Sequence, residues 1–328
     1  SEYHYSISAI SRSSEPCYNA AMTTPLLLAL VLGSAACAQP RIAAERPGPQ
    51  CVDRISDEEA AEIGRKIWEH EGGGKILVWW DDTANCSSFG INNYLWFQEG
   101  HDVPFQESFP PLIDYMLSKG ESVPNWVSSK PPAPWRTRAE LFAETLTIDR
   151  IRANPPKSWE MTPAMFAKED SPRMKELRDF LARTVPLQAR FSIQRMIDSL
   201  PKMLLAAPEA ERPAIQTQFY RVSCSPGGVF NLVDYVNFKG EGSNTKERYP
   251  SRNGGEPQGW GLLQVLQNMS GTEMGPVALN DFSDSAEWAL CRRVDNSPPD
   301  RQAGDRGWLP GWIKRTRTYR GSGEVTSA

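Results

Sequence analysis

The helical spacing of apolar residues after Pro172 constrains the fold more than any other feature of the sequence. Side chains that recur every three or four residues share one helix face. The two clearest sets are Met174, Leu177 and Leu181, then Ile193, Ile197, Leu200 and Leu204. Further helices are predicted over 209–223, 228–239, 258–269 and 277–291. No fixed-period repeat is present, which excludes a solenoid. The chain is therefore predicted to be mainly α, a helical bundle with one small β-hairpin wing.

A capped helix precedes this bundle and ends in a run of glycines. Ser56 and Glu59 have the spacing of a capping box, and apolar residues follow them at helical spacing. The helix is predicted to end near Glu71, because residues 72–74 are glycines and glycine enters the left-handed conformation without steric cost. From Ile76 to Phe97, β-branched, aromatic and small polar residues predict the hairpin.

The N-terminal part of the sequence has the composition of an export signal. The run from Met22 contains a short apolar stretch followed by small residues, so residues 22–38 are predicted to be a secretory signal peptide. We expect residues 1–21 to be sequence wrongly assigned upstream of a start at Met22. Cleavage after Ala38 and lipidation of Cys37 both remain open. The protein is therefore expected to be exported, periplasmic or secreted, with or without a lipid anchor at Cys37.

One folded domain is expected over residues 51–320. Residues 39–50 are interrupted by proline and glycine without an apolar period, which predicts a linker. Residues of about 100–170 are predicted to be an insertion, because prolines break the pattern and only a short helix near Arg138 to Thr145 is indicated. No chemistry is assigned to this insertion.

The composition argues against several classes of protein. The chain has 328 residues and a formal net charge of -4, which does not favour a nucleic-acid partner. No window approaches the roughly 20 uninterrupted apolar residues of a membrane span, so no transmembrane helix is predicted. The chain has 3 histidines and no Cys-x-x-Cys pair, so neither a metal nor another cofactor is predicted.

Four cysteines remain once Cys17 and Cys37 are assigned to the upstream sequence and the export signal. They are Cys51, Cys86, Cys224 and Cys291. An even number of cysteines in an oxidising compartment predicts two disulfides, for which three connectivities exist. We favour the local pairs, Cys51 with Cys86 and Cys224 with Cys291, on their proximity in sequence alone.

Glu71 has the position of a catalytic acid. Glycosidases need a carboxylic acid that stays protonated near neutral pH. The negative end of a helix dipole disfavours an ionised carboxylate at Glu71, and Trp68, Trp79 and Trp80 could exclude water from it. The alternative is a solvated glutamate at a frayed helix end.

The residues after Glu71 resemble a known pattern. Glu71-Gly72-Gly73, then Asp81-Asp82 and Ser88-Phe89-Gly90-Ile91, is similar to the start of phage-type lysozymes and of secretion-activator-type muramidases. The resemblance implies an α+β lysozyme-like fold with Glu71 as the general acid. It also implies Asp81 or Asp82 as the second carboxylate and Ser88 as the hydroxyl that orients the attacking water. The sequence departs from the pattern at Asn92-Asn93, where phage-type members have Gly-His.

A second resemblance lies downstream. The run Val233-Asp234-Tyr235-Val236-Asn237, followed by Leu262-Leu263-Gln264 and Gly275-Pro276, is similar in order to the secretion-activator muramidases. Glu241 is a rival acid, because Gly261-Leu262-Leu263-Gln264 follows it as a related string follows the glutamate of lytic transglycosylases. The Glu-Ser step of those enzymes is absent here.

These observations predict a glycoside hydrolase that cleaves β-1,4 bonds of peptidoglycan or a related amino-sugar polymer. Aromatic faces can stack on sugar rings, although tryptophan more often builds core. The residues expected to bind substrate are Trp80, Asn93, Trp96, Asn237, Trp260 and Gln264. The alternative is a catalytically inactive lysozyme-like protein that binds glycan or belongs to the cell envelope.

The export signal leads to a direct prediction. The protein recovered from cells should begin at Gln39, or at a lipidated Cys37, because small residues end the apolar run there. Intact-mass spectrometry measures this. A mature N-terminus at Ser1 or Met22 would contradict it.

Overall fold

The computed structural model describes residues 48, 50–103, 105–146, 149–245, 247–251 and 254–321. They belong to one structural unit, Pro47–Ala328. The predicted signal peptide and the lipidation site at Cys37 lie outside the described residues. Within those residues, no helix combines the length and the apolar character that a membrane crossing requires.

The capped helix has the predicted boundaries. A short helix α1 (Gln50–Asp53) is followed by α2 (Asp57–Gly72). The Ser56 hydroxyl accepts a hydrogen bond from the Glu59 N–H at 3.1 Å, and the Glu59 carboxylate accepts one from the Ser56 N–H at 2.9 Å. Gly73 adopts the left-handed conformation, with φ of 57°, and ends the helix. Local sequence therefore decides both ends of the helix that carries Glu71.

The predicted hairpin is a three-stranded antiparallel sheet. Its strands are β1 (Leu77–Asp81), β2 (Cys86–Gly90) and β3 (Tyr94–Trp96), in that order. Leu77 pairs with Gly90 at one end of the hairpin, and Asp81 pairs with Cys86 at the other. A second turn at 91–93 adds β3, and Asn93 takes the left-handed conformation in that turn with φ of 49°.

The region predicted as an insertion packs against this sheet. It contains α3 (Phe109–Ser118), α4 (Asn125–Ser128), α5 (Arg138–Phe142) and α6 (Asp149–Ala153). Its aromatic residues share a hydrophobic core with the strands, and Trp96, for example, stacks on Phe109 at 4.7 Å between ring centroids. Helix α3 was not predicted, because its prolines suggested a break. They occupy its first turn, where a missing N–H costs nothing.

The C-terminal half is a bundle of longer helices. They are α7 (Pro172–Arg183), α8 (Val185–Ala206), α9 (Arg212–Ser223), α10 (Gly228–Lys239), α11 (Leu262–Asn268), α12 (Pro276–Asn296) and α13 (Pro299–Arg317). The long helix α8 joins the two cores: Ala189 and Phe191 belong to the sheet core, and Ile193 and Met196 belong to the bundle core. The mainly α fold with a small antiparallel sheet is confirmed.

Helix α13 was missed because its buried stripe is not apolar. The stripe consists of Asp305, Leu309, Ile313 and Thr316, which lie three or four residues apart. Two of the four are polar, so a search for apolar periodicity finds nothing. Pro310 inside the helix weakens the signal further.

The predicted disulfide pairs are wrong. Cys51 bonds to Cys224, which joins α1 to the end of α9 across 173 residues of sequence. Cys86 is buried on β2, and burial raises the pKa of its thiol to about 12. Cys291 lies half-buried on α12. Sequence proximity failed as a guide because helix packing brings α1 to α9.

Loss of the Cys51–Cys224 bridge should reduce stability. The double variant Cys51→Ser/Cys224→Ser is expected to lower the free energy of unfolding by about 2–5 kcal/mol, since the bridge restricts the unfolded chain. Denaturant unfolding with and without a reductant measures this. The reductant should destabilise the wild type and leave the double variant unchanged; equal sensitivity of both proteins would contradict the assignment.

Candidate functional site

Glu71 lies in the last turn of α2, where four elements meet. Its side chain is 15% exposed. The carboxylate accepts hydrogen bonds from Asn93 Nδ2 at 3.0 Å, Asn237 Nδ2 at 3.2 Å and Arg315 Nη2 at 2.6 Å. These donors come from the turn before β3, from α10 and from α13. Asn93 and Asn237 were predicted to lie at the site, and the structure brings both to Glu71.

Arg315 is held by a second, fully buried carboxylate. Its Nε and Nη2 donate to Asp234 at 2.9 and 2.7 Å. The Tyr319 hydroxyl donates to the same carboxylate at 2.6 Å, and His70 Nδ1 lies 3.6 Å from it. Burial alone would raise the pKa of Asp234, but the charge of Arg315 and these hydrogen bonds outweigh it and hold that pKa well below its ordinary value.

These contacts add a cation to the surroundings of Glu71. The helix-end argument for a protonated carboxyl did not include Arg315, which lies on the helix that sequence analysis missed. A guanidinium 2.6 Å from a carboxylate oxygen makes a charge-assisted hydrogen bond to the ionised form. The carboxylate of Glu71 is thus bound by one cation and two side-chain amides.

The turn that carries Asn93 is anchored on α8. The Ile91 N–H donates to Gln188 Oε1 at 3.0 Å, and Asn92 Nδ2 donates to Ser192 Oγ at 3.0 Å. Asparagine tolerates the left-handed conformation that Asn93 adopts better than most residues do. The Asn92-Asn93 pair thus has a clear structural use, in which one amide fixes the turn and the other binds Glu71. Asn93 Oδ1 is buried and has no hydrogen-bond partner among the described residues.

The structure does not bring Asp81 or Asp82 to Glu71. Asp81 Oδ1 accepts hydrogen bonds from the Thr83 and Ala84 N–H groups at 2.8 and 2.7 Å, which caps the tip of the hairpin. Asp82 pairs with Arg138 on α5. Asp81 lies four residues along β1 from Leu77, or about 13 Å from the end of the hairpin that adjoins Asn93. The predicted second carboxylate is therefore a turn residue.

Three other predicted residues lie in the sheet core. Ser88, Trp80 and Trp96 are almost completely buried. Trp96 Nε1 donates to the carbonyl of Pro131, which ties the sheet to residues 100–170. In this arrangement the three side chains are packed away from solvent.

Glu241 follows the end of α10 and is also paired. Its side chain is 16% exposed, and it accepts hydrogen bonds from Lys202 Nζ at 2.7 Å and Ser243 Oγ at 3.2 Å. Gln264 braces the loop around it, since its side chain bonds the Gly261 N–H and the Gly242 carbonyl. Gln264 also packs tightly against Gly242, because a Cβ on that glycine would lie 2.3 Å from Gln264 Oε1.

Trp260 and Glu247 lie close to this loop. Trp260 is half-buried, 4.8 Å from the ring of Tyr249 and 4.4 Å from the guanidinium of Arg293. Glu247 was missed by sequence analysis. Burial raises its pKa, a hydrogen bond from Asn244 and the charge of Arg293 oppose the increase, and the charge of Glu241 adds to it. No local sequence pattern marks Glu247, because its surroundings come from folding.

Comparisons of the chain with protein-family models, curated proteins and solved structures found no match. The resemblance to muramidases therefore depends on the residues described above.

The buried pair should make a large contribution to stability. Asp234→Asn is expected to lower the free energy of unfolding at pH 7 by about 3–5 kcal/mol. The reason is that the buried guanidinium of Arg315 loses one of its two carboxylate partners. The pKa of Asp234 is lower folded than unfolded. The stabilisation is thus present above about pH 4 and is lost as pH falls through the lower, folded value.

Urea unfolding at several pH values measures the difference between wild type and Asp234→Asn. The difference should shrink below about pH 4. Asp284→Asn is the control, since Asp284 pairs with Arg320 at the surface and should contribute less than about 1 kcal/mol. A difference that is small at pH 7, or that grows as pH falls, would contradict this account.

Proposed function

We propose that this chain is a glycoside hydrolase that cleaves β-1,4 bonds between amino sugars, as in peptidoglycan, with Glu71 as a catalytic carboxylate. One observation supports the proposal above all. Asn237 lies in the downstream segment that resembles muramidases, and it donates to the carboxylate of Glu71, which closes the upstream helix of that resemblance. Asn93, where the sequence departs from the pattern, donates to the same carboxylate. Segments chosen for a shared resemblance thus meet at the residue to which that resemblance assigns the chemistry.

The contacts of Glu71 suit one of the two carboxyl roles in this reaction. Glycosidases use one carboxyl group as acid and a second, ionised carboxylate as base or nucleophile. Glu71 suits the second role, because three donors orient its carboxylate and one of them carries a positive charge. An ionised carboxylate offers about four acceptor positions, so one stays available to water or to the sugar.

Asn93 suits a role in substrate binding. Its Nδ2 donates to Glu71, while its Oδ1 is buried with no partner in the part of the chain that the structure describes. A buried acceptor left unpaired is costly, and a hydrogen bond from the ligand would remove that cost. The N–H of an acetamido group or a sugar hydroxyl is a donor of the required kind, which agrees with an amino-sugar substrate.

The second candidate is a protein that binds glycan without cleaving it. The ion pair between Arg315 and Glu71 favours this candidate, because a carboxylate that serves only as a structural link would have the same contacts. Activity of the purified protein separates the two functions.

The Glu71→Gln variant should lose cleavage of peptidoglycan. The amide keeps the shape of the side chain but removes the charge, and acid or base catalysis typically contributes about 10²–10⁴-fold in rate. A zymogram and the release of reducing ends measure the activity, and the melting temperature reports on the fold. Glu69→Gln is the matched control: Glu69 lies on the same helix, is 53% exposed and pairs with Arg65.

Each outcome has a clear meaning. Full activity of Glu71→Gln would contradict the proposed role of Glu71. A folded wild type that binds peptidoglycan and releases no reducing ends would show that the protein only binds glycan. Loss of activity in Glu69→Gln as well would point to a damaged helix.

A further inference from the structure

We infer that the site takes an acidic glycan, one that carries carboxylate groups, and that Lys239 at the end of α10 binds one of these carboxylates. This inference rests on the proposed function and deepens it, because it separates the acidic strands of peptidoglycan from neutral polymers of N-acetylglucosamine. The position of the ammonium group, its partners and the charges around it support the inference.

The Lys239 ammonium group lies beside the cation that binds Glu71. Lys239 Nζ is 4.0 Å from the centroid of the Phe238 ring, and the guanidinium carbon of Arg315 is 4.4 Å from the same centroid. The two cations therefore share one aromatic ring. Since Arg315 Nη2 donates to Glu71 at 2.6 Å, the ammonium group belongs to the surroundings of the Glu71 carboxylate.

This ammonium group has no anionic partner in the part of the chain that the structure describes. Lys239 is the last residue of α10, where a lysine side chain can bond the final carbonyl groups of its helix. Its Nζ instead lies 3.5 Å from the ring centroid of Trp312, and it neither donates a hydrogen bond to a described residue nor forms an ion pair with one. The rings attract the cation, but its three N–H donors stay available.

A neighbouring cation has the same shortage of acceptors. The guanidinium carbon of Arg293 is 4.8 Å from the centroid of Trp312, the ring that Lys239 also contacts. Arg293 Nε is buried and has no hydrogen-bond partner among the described residues, and Asp305 Oδ1 is 3.8 Å from its Nη2. Cations from α10, α12 and α13 thus meet at two rings, where a ligand with acceptor groups would find unused donors.

The surrounding charges also indicate a missing anion. Burial is the largest influence that lowers the pKa of Lys239 well below its ordinary value, and the charges of Arg293 and Arg315 lower it further. Asp305 and Glu71 oppose this decrease without cancelling it. A carboxylate bound to Nζ would supply the opposite charge that favours the ammonium form. Where free Lys239 is neutral, binding of the carboxylate takes up one proton from solvent.

The glycan of peptidoglycan carries carboxylates of the required kind. N-acetylmuramic acid differs from N-acetylglucosamine by a lactyl ether that ends in a carboxyl group, and the peptides attached there end in further carboxylates. An ammonium group binds a carboxylate through charge-assisted hydrogen bonds. The site therefore suits a strand whose carboxylate lies at Lys239 while a glycosidic bond lies at Glu71. A neutral strand would leave Lys239 unpaired.

The test uses three disaccharides of N-acetylglucosamine and N-acetylmuramic acid. The first has a free lactyl carboxylate, the second is its neutral methylamide, and the third carries a peptide with free carboxylates. Calorimetry with the wild type should show that one charged disaccharide binds about 10–100-fold more tightly than the methylamide, because hydrogen bonds to charged groups are strong. Whether the first or the third is preferred identifies the carboxylate as lactyl or peptidic.

Substitutions of Lys239 test the assignment directly. Lys239→Met should bind the charged disaccharide as weakly as the methylamide, and it should bind the methylamide as the wild type does. Lys239→Arg keeps the positive charge and should keep the preference. Lys119→Met is the matched control and should also keep it, since Lys119 lies 5.2 Å from the ring centroid of Tyr115 but is exposed after the end of α3. Melting temperatures report on the fold of each variant.

The pH dependence of binding gives a second readout. The affinity of the wild type for the charged disaccharide should fall as pH rises and the ammonium group loses its proton. Because the pKa of Lys239 is lowered, this fall should begin below the ordinary range for lysine. It should disappear in Lys239→Arg, whose guanidinium keeps its charge. A lysine with a merely structural role would give neither result.

The outcomes separate this inference from the proposed function. A wild type that cleaves peptidoglycan but has no preference for a charged disaccharide would overturn the inference and leave the hydrolase intact. A full preference in folded Lys239→Met would also overturn it. A wild type that has the preference and releases no reducing ends would support the role of Lys239 in a protein that only binds glycan. A wild type that neither binds these disaccharides nor cleaves peptidoglycan would overturn both.

Discussion

The guanidinium of Arg315, shared between Asp234 and Glu71, is the interaction on which the site depends. Asp234 is fully buried, and a buried carboxylate is tolerated only when it is paired and hydrogen-bonded. Arg315 donates two hydrogen bonds to Asp234, from Nε and Nη2. Nη2 of the same guanidinium also donates to Glu71. Because its geometry is planar and rigid, the two bonds fix the direction in which Glu71 points. Helices α2, α10 and α13 are thereby joined through one side chain.

The sheet reaches the site only because α8 holds it there. Gln188 and Ser192 on α8 bind the turn that carries Asn93, and the same helix contributes to both hydrophobic cores. Residues 100–170, which carry no chemistry in the sequence, cover the sheet and bury Trp96. They stabilise the strand that follows Asn93. What the sequence suggested as an insertion is therefore part of the support for the site.

Local sequence was sufficient for the features that depend on neighbouring residues. The capping box at Ser56, the glycine stop after Glu71 and the apolar helices of the C-terminal half all follow from contacts within a few residues. Asn237 could be placed near Glu71 only through a resemblance, and Asn93 stands where the sequence departs from that resemblance. Even there, the sequence did not show that both bind its carboxylate.

The remaining features depend on residues far apart in the chain. The partner of Cys51 was unpredictable because it lies 173 residues away, and Arg315 lies 244 residues from Glu71. Helix α13 buries Asp305 and Thr316 along with two apolar residues, so the spacing of apolar residues does not predict it. The sequence by itself determined where helices begin and end and that a glutamate closes one of them. Only the tertiary structure decided the charge around that glutamate, because the cation comes from the other end of the chain.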